Sequence, residues 1–237
     1  MSTYENHVFY CLQCGSKMNH NLLVGMHITR LPKVREAILQ EKFQHVECRN
    51  CQFVNRVEKP SIYTDFERNH YVAVELPVVC DWRKKVNLHR EAFDQSFFWG
   101  APVAQEMGRS MITRVVFGLR ALREKLLIWD AGLDDRIIEI GKRKILTASG
   151  LDTKQVSLRL LSIRQPSKEL FFGLFERPKL NVSDSVVQSQ IKIFEPIDTL
   201  TVFQKTHTDW HLQAPKLLQQ NPWARQAWFV DSLVAEM

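Results

Sequence analysis

Short runs of alternating apolar and polar residues dominate the first 80 positions of the chain. Alternation of this kind is typical of half-buried β-strands. It predicts strands at residues 7–11, 21–29, 61–67 and 70–76, the last two forming an antiparallel pair. Between the second and third strands, Pro32 stands where a helix can begin, and apolar residues at helical spacing predict a short helix across residues 33–42.

From Ile112 the spacing of the apolar residues becomes helical. One helix face would carry six apolar side chains, at Ile112, Val115, Val116, Leu119, Leu122 and Leu126. Gly132 would end this helix, and Asp134 would cap the N-terminus of a second one. The pattern therefore predicts an αα-hairpin across residues 112–148.

The C-terminal part of the chain combines strand patterns with one more helix. Strands are predicted at residues 156–160, 170–175, 186–194 and 199–204, with a turn at residues 165–168 between the first two. Asn221 and Pro222 would open a final helix, with Trp223, Ala227, Val230 and Val234 facing inward. This part is therefore expected to be β-rich and to end in a helix.

Four of the five cysteines occur as two close pairs, Cys11 with Cys14 and Cys48 with Cys51. Two residues separate the members of each pair, which lets both sulfurs of a tight turn bind one ion. The 33 residues between the pairs contain a predicted strand and helix, so they are expected to form a folded insert. Because two such turns supply the ligands of a tetrahedral structural site, we predict Zn²⁺ bound by these four cysteines.

Two other interpretations of the cysteines stay open from their spacing. They could form a redox or disulfide pair, or they could be unrelated thiols. A redox Cys-x-x-Cys motif usually stands alone beside a βαβ pattern, whereas here two copies have β-rich flanks. Cys80, the fifth cysteine, lies in an apolar run, where a buried and inert thiol is expected.

Several segments of the chain resemble the CpXC domain, a bacterial and archaeal family named for two Cys-Pro-x-Cys motifs. The similarity includes both cysteine pairs, the helix start at residues 31–33 and the stretch at residues 60–65. It continues in two helical segments, at residues 122–126 and 132–139. The motif prolines are absent here, since Leu12 and Arg49 stand in their places. The resemblance implies a metal site and no established activity.

These patterns together predict an α+β fold. An N-terminal zinc-ribbon-like β domain would be followed by the αα-hairpin and by a β-rich domain with a C-terminal helix. The predicted domains are residues 1–80, which bind zinc, and residues 112–237, with a connector at 81–111. The connector holds a cluster of four aromatic residues, Phe93, Phe97, Phe98 and Trp99. We expect this cluster to fill the edge of a core, and base stacking is the alternative role.

The composition is that of a globular protein, with 45% hydrophobic and 24% charged residues. Apolar runs such as residues 115–119 are soon interrupted by arginine, so we expect no membrane-spanning segment. The polar N-terminal residues predict no signal peptide. Cysteines at metal-binding spacing favour a reducing compartment, and the expected location is the cytoplasm.

Positive charge is concentrated in the middle third of the chain. The net charge is +6, and residues 81–150 hold four of these six excess positive charges, including the runs at residues 83–85 and 142–144. A continuous basic stripe could follow a phosphate backbone. Acidic residues such as Glu124 and Asp130 interrupt the pattern. Nucleic acid is therefore kept as an alternative partner.

Two groups of residues could suggest catalysis or a second metal site. The first group contains Asp134, Asp135, Glu139 and Lys142. Acidic residues are favoured in the first turn of a helix, and residues three apart often form surface ion pairs, so structural roles account for it. The second group is His207 and His211, which could share a metal only on a helix. The sequence assigns no catalytic residue and no further cofactor-binding residue.

The sequence as a whole favours a non-enzymatic role. The expected function is a zinc-binding cytoplasmic protein that acts as a protein-interaction or scaffold module for an unidentified protein partner. One alternative is a nucleic-acid-binding accessory protein, and another is an enzyme subunit with its site in the C-terminal domain. The oligomeric state is not determined by the sequence.

Overall fold

The computed structural model describes residues 2–77, 81–153, 155–176, 196–225 and 228. Within these residues the chain forms two compact units, the first ending at Leu122 and the second beginning at Arg123. Seven α-helices and three sheets lie in the described part of the chain, which confirms the α+β class. The predicted domain boundaries at residues 80 and 112 stay a prediction, because contacts alone do not show which parts fold independently.

The first unit contains seven strands and three complete helices among its described residues. In chain order they are β1 (Thr3–Tyr10), β2 (Lys17–His27), α1 (Pro32–Leu39), β3 (His45–Glu47), β4 (Val54–Arg56), β5 (Ser61–Asp65), β6 (His70–Glu75), α2 (Trp82–Phe97), α3 (Pro102–Ser110) and β7 (Ile112–Phe117). The helix α4 (Leu119–Asp130) begins in this unit and ends in the second one. Pro32 occupies the first turn of α1, which confirms the predicted helix start.

A five-stranded sheet with the order β1-β2-β5-β6-β7 organises the first unit. The β1–β2 and β5–β6 pairs are antiparallel, whereas β2–β5 and β6–β7 are parallel. The predicted antiparallel pair at residues 61–67 and 70–76 is thus confirmed. All six residues of β6 are buried, because this strand lies between β5 and β7. The short strands β3 and β4 form a separate two-stranded sheet that leads into and out of the second cysteine pair.

The prediction that a helix begins at Ile112 is wrong. Residues Ile112–Phe117 form the strand β7, which pairs in register with β6 from His70↔Ile112 to Glu75↔Phe117. Gly118 follows with φ of +90°, a left-handed conformation that glycine adopts without steric cost, and α4 then begins at Leu119. The helix therefore starts seven residues later than its apolar spacing suggested.

The segment at residues 81–111, predicted as a connector, contains the two helices α2 and α3. They connect the parallel strands β6 and β7, as parallel pairing requires a crossover. Phe93 of α2 is buried and its ring contacts that of Tyr71, with 4.8 Å between ring centroids. Phe97 contacts the same tyrosine at 6.1 Å. Part of the aromatic cluster thus fills a core, whereas Trp99 is 79% exposed.

The second unit combines helices with a three-stranded antiparallel sheet. After α4 its elements are α5 (Asp135–Ala148), β8 (Val156–Arg164), β9 (Glu169–Glu176), β10 (Asp198–Val202), α6 (Gln204–Leu212), α7 (Ala214–Gln220) and a 3₁₀ turn at Pro222–Arg225. The sheet order is β10-β9-β8. Its core is formed by apolar side chains from α4, α5 and the three strands, including Ile128, Ile138, Leu158, Leu160, Leu170, Phe172 and Val202.

Several local predictions for the second unit are confirmed. Asp134 caps α5 by accepting a hydrogen bond from the Arg136 backbone N–H, and Gly132 has the expected positive φ after α4. The strands near residues 156 and 170 are present, and β10 corresponds to the strand predicted at 199–204. The strand predicted at 186–194 and most of the final helix lie outside the described residues. Among the described residues, only the 3₁₀ turn at Pro222–Arg225 belongs to the predicted final helix.

Candidate metal centre

Each cysteine pair is held by a tight turn with the same backbone hydrogen bonds. In the first turn, the Gly15 N–H donates to the carbonyl oxygen of Cys11 at 2.9 Å, and the Cys11 N–H donates to that of Ser16. Gly15 has φ of +71°, so it occupies the left-handed region that glycine tolerates. This turn follows β1 directly and therefore presents the Cys11 and Cys14 sulfurs at the end of that strand.

The second turn repeats this arrangement between β3 and β4. The Gln52 N–H donates to the Cys48 carbonyl oxygen at 2.7 Å, and the Cys48 N–H donates to that of Phe53 at 2.9 Å. Gln52 has φ of +61°, at the position equivalent to Gly15. The two turns thus provide matching frameworks for two sulfurs each, as the spacing of the cysteines predicts.

The four sulfur atoms form one compact group. Their Sγ atoms all lie within 4.8 Å of one another, and the four thiols are free of disulfide bonds. The Cys11–Cys51 and Cys14–Cys48 Sγ distances are 3.6 and 3.7 Å. A tetrahedral metal with metal–sulfur bonds of about 2.3 Å places its ligands about 3.8 Å apart, so the four cysteines fit the geometry of a metal ion.

Polar side chains surround the sulfur group. Asn50 Nδ2 lies 3.5 Å from Cys14 Sγ, and the Ser16 hydroxyl lies 3.2 Å from the same sulfur. Asn55 Nδ2 lies 3.5 Å from Cys11 Sγ. Amide N–H groups at this position partly neutralise thiolate charge and orient the sulfurs, which is how neighbouring groups tune a metal site.

The environment affects the thiols unequally. The hydrogen bonds from Asn50 and Ser16 lower the pKa of Cys14 to about 5. The Phe53 backbone lowers the pKa of Cys51, but burial and the neighbouring cysteine thiols outweigh it and raise this pKa to about 12. Thiolates this close repel one another, and a bound divalent cation would relieve that repulsion and favour deprotonation of all four.

Asn55 is a structural residue of the site that the sequence did not reveal. It is fully buried in β4, and its Oδ1 accepts a hydrogen bond from the Leu12 backbone N–H at 2.9 Å. Its Nδ2 lies 3.2 Å from the Phe53 carbonyl oxygen as well as near Cys11 Sγ. This one side chain therefore connects the first cysteine turn to the second. Leu12, which replaces a motif proline, supplies the N–H that makes the connection.

We expect Leu12→Pro to lower the free energy of unfolding by about 1–3 kcal/mol, although it restores the family motif. Proline has no N–H, so the buried Asn55 oxygen would lose its donor. Arg49→Pro is the matched control, because the Arg49 N–H forms no hydrogen bond within the described residues. Urea unfolding of both metal-loaded variants measures the difference. Equal midpoints for the two variants would show that the Asn55 contact contributes nothing to stability.

The acidic and basic residues considered for catalysis form a buried ionic network in the second unit. Lys142 Nζ lies 2.9 Å from carboxylate oxygens of both Glu124 and Glu139. Lys125 Nζ lies 3.2 Å from Asp135 and 3.1 Å from Glu139. These side chains are at most 3% exposed, so substrate cannot reach them in this conformation.

Further contacts complete the network around Glu124. Arg159 of β8 contacts Glu124 Oε2 at 3.0 Å, and the Leu160 backbone N–H donates to Glu124 Oε1 at 2.8 Å. Burial raises the pKa of Glu124, but the charges of Lys142, Arg159 and Lys125 outweigh it and lower this pKa below its usual range. The network therefore holds ionised groups that link α4, α5 and β8, which is a structural role.

The two histidines considered for a second metal site lie on α6, so that segment is helical after all. Both ring nitrogens of His211 have protein partners. Its Nδ1 lies 2.8 Å from the His207 carbonyl oxygen, and its Nε2 accepts a hydrogen bond from the Asp134 N–H at 3.0 Å. His207 Nε2 lies 2.9 Å from the Lys168 carbonyl oxygen. Among the described residues, the four cysteines are the one group with metal-binding geometry.

Four cations from the basic middle third of the chain are buried or lie near an acidic residue. Lys125 and Lys142 are buried in the ionic network. Arg114 is buried in β7, where its guanidinium donates to the Thr113 carbonyl oxygen. Arg120 lies near Glu41, with 4.0 Å between nitrogen and oxygen. These four cations are therefore not arranged along a surface for phosphate contacts.

The family of the chain follows from its similarity to known proteins. No helix among the described residues is both long and apolar enough to cross a membrane. No curated protein and no solved structure matches the chain. Residues 9–142 match the model of a protein family described as CpXC protein. The matched segment covers more than half of the 237 residues and contains all four cysteines of the metal centre, and the chain therefore belongs to the CpXC family.

Proposed function

We propose that Cys11, Cys14, Cys48 and Cys51 bind one Zn²⁺ as a structural ion. The observation that carries this proposal is the compact group of four sulfurs on two matching turns. Four thiolates in tetrahedral geometry suit zinc or iron, and zinc is the usual ion when both pairs have the Cys-x-x-Cys spacing. Four protein ligands leave no open coordination position for water or substrate, so the ion would stabilise the fold.

We further propose that the chain acts as a protein-interaction or scaffold module in the cytoplasm. Exposed apolar side chains flank both cysteine turns and support this role. Tyr10 and Leu12 lie beside the first turn, and Phe53 and Val54 lie beside the second. Exposed apolar groups on a rigid metal-bound framework are typical of protein-binding surfaces. A reducing cytoplasm would keep the four thiols available for zinc.

Elemental analysis tests the zinc proposal directly. We expect one zinc atom per chain after purification without added metal, and less than a tenth of that in a variant with Cys48 and Cys51 both replaced by serine. Cobalt substitution should give the absorption spectrum of a tetrahedral thiolate site. Stoichiometric iron, or four thiols that titrate freely in protein purified without chelator, would contradict the proposal.

The interaction role needs a test that leaves the zinc site intact. We choose the double variant Leu12→Ser and Phe53→Ser, because it removes exposed apolar side chains and keeps the backbone groups that bind Asn55 and Cys48. Leu88→Ser is the matched control, since Leu88 is exposed on α2. A partner retained by the native chain and the control, but lost by the double variant, is the expected result. Equal retention by all three proteins would contradict a binding surface at the cysteine turns.

A further inference from the structure

A cavity of about 430 Å³ opens on one face of the five-stranded sheet in the first unit. Its volume lies in the range of small-molecule binding sites. It is separate from the four cysteines, none of which lines it. The CpXC metal site and the proposed interaction surface therefore leave this cavity without a role.

The strand register explains why the cavity exists. His27 of β2, Thr64 of β5 and Tyr71 of β6 are aligned partners in neighbouring strands, so their side chains share one face of the sheet. Gly25 and Ile62 are partners in the next row on this face. Because Gly25 has no side chain, Thr3 lies close to it and lines the cavity at this point.

Helix α2 covers only part of this sheet face. Phe93 and Phe97 contact Tyr71, so the helix packs over β6. Phe97 also lines the cavity and forms its wall on that side. Towards β2 and β5 the face is left open, with Ile62 and Phe66 as further apolar lining. The walls thus suit a flat, apolar group.

Two residues that line the cavity carry polar groups with no partner in the described residues, and the two groups differ in access. His27 Nδ1 is buried and forms no hydrogen bond there, and its burial keeps it out of reach of a ligand in the cavity. The Arg30 side chain is exposed, and the described residues provide it with neither a hydrogen bond nor an ion pair. The Arg30 backbone N–H donates to the His27 carbonyl oxygen at 3.1 Å, so one turn holds both residues at the mouth of the cavity.

We propose that this cavity binds a small organic acid with a flat apolar body, in which Arg30 and Thr64 bind the carboxylate and Phe66, Phe97 and Ile62 contact the body. A carboxylate has two acceptor oxygens, which match the parallel N–H groups of one guanidinium. The hydroxyl of Thr64 lines the same cavity and can donate to the same oxygens.

Calorimetric titration of the full, metal-loaded chain with 2-naphthoate tests this proposal. We expect saturable binding with one site per chain. Arg30→Gln should weaken it by about tenfold or more, as expected when a hydrogen bond between charged groups is lost. Arg90→Gln, the same change at an exposed position of α2 outside the cavity, should alter the affinity by less than about twofold.

Substitution of Thr64 tests the second donor. Thr64→Val keeps the branched shape of the side chain, removes its hydroxyl and should weaken binding by less than Arg30→Gln does. Thr64→Ser keeps the hydroxyl and should retain more of the affinity. Circular dichroism checks that each variant is folded.

Three results would overturn the proposal. The first is no binding of 2-naphthoate at millimolar concentration. The second is equal affinity of the Arg30→Gln and Arg90→Gln proteins. The third is binding of 2-naphthyl phosphate, or of the uncharged 2-naphthalenemethanol, at least as tight as binding of the carboxylate. None of these results depends on the identity of the metal ion, so the proposed zinc site is tested separately.

Discussion

Replacing Cys48 by serine should unfold the part of the chain around the metal centre and leave the second unit folded. Cys48 is 1% exposed, and a serine hydroxyl is a poor zinc ligand in its place. Structural zinc sites contribute about 10–16 kcal/mol of apparent binding energy in isolated peptides. A loss of that order exceeds what the neighbouring packing can replace.

The packing near the cysteines is too small to compensate. It consists of a separate cluster formed by Phe9, Leu22, Val46 and Val57, with Met18 packed against it. The strands β3 and β4 have three residues each, and an isolated two-stranded hairpin of this size is marginal in water. The second unit, in contrast, has its own apolar core and its own sheet.

Limited proteolysis followed by mass spectrometry measures the outcome. In the Cys48→Ser protein we expect rapid cleavage within residues 7–76 and a surviving fragment that begins near Arg123. Cys80→Ser, a change at the one cysteine outside the proposed ligand set, should alter the digestion pattern much less. Loss of both units at the same rate would show that they fold as one, and would contradict the proposed division into domains.

Lys142→Met should lower the free energy of unfolding of the second unit by about 3–5 kcal/mol, the usual result of removing one partner of a buried ion pair. Lys142 is 1% exposed and contacts two carboxylates. Its removal would leave the Glu124 and Glu139 carboxyl groups in a buried site with Lys125 and Arg159 as the remaining cations of the network. The methionine fills most of the volume, so the effect reports charge more than packing.

Lys144→Met provides a matched control for this prediction. It is the same substitution two residues along α5, at an exposed position, and should change stability by less than about 0.5 kcal/mol. Urea unfolding followed by tryptophan fluorescence compares the two variants. Adding Glu139→Leu to Lys142→Met should recover part of the loss, because it restores equal numbers of acidic and basic side chains in the buried network. Equal midpoints for Lys142→Met and Lys144→Met would contradict a stabilising network.

The metal-binding turns were predictable because residues close together in the sequence determine each of them. The spacing of Cys11 and Cys14 fixes one turn, and Gly15 supplies the left-handed residue that follows it. The contribution of Asn55 was not predictable in this way. Its amide reaches Leu12 across 43 positions of sequence, and no spacing rule connects an asparagine in a strand with a distant backbone N–H.

The strand β7 illustrates how apolar spacing alone misleads. Ile112, Val115 and Val116 fit one face of a helix, but a fully buried strand also shows an unbroken apolar run. The β-branched residues at positions 112, 113, 115 and 116 favour the strand, and Gly118 separates it from α4. The burial of Lys142 was equally hidden, because its partners Glu124 and Arg159 come from other elements.

The parallel pairing of β6 with β7 has a consequence for synthesis of the chain. The hairpin of β5 and β6 closes over a few residues, but β7 joins only after the 36 residues between Glu75 and Ile112 have been made. At about 5–20 residues per second, β6 waits for seconds with one edge unpaired. That edge carries Tyr71, Val72 and Val74, and an open apolar edge strand readily pairs with another chain. Fragments intended to isolate the metal centre should therefore extend through Phe117.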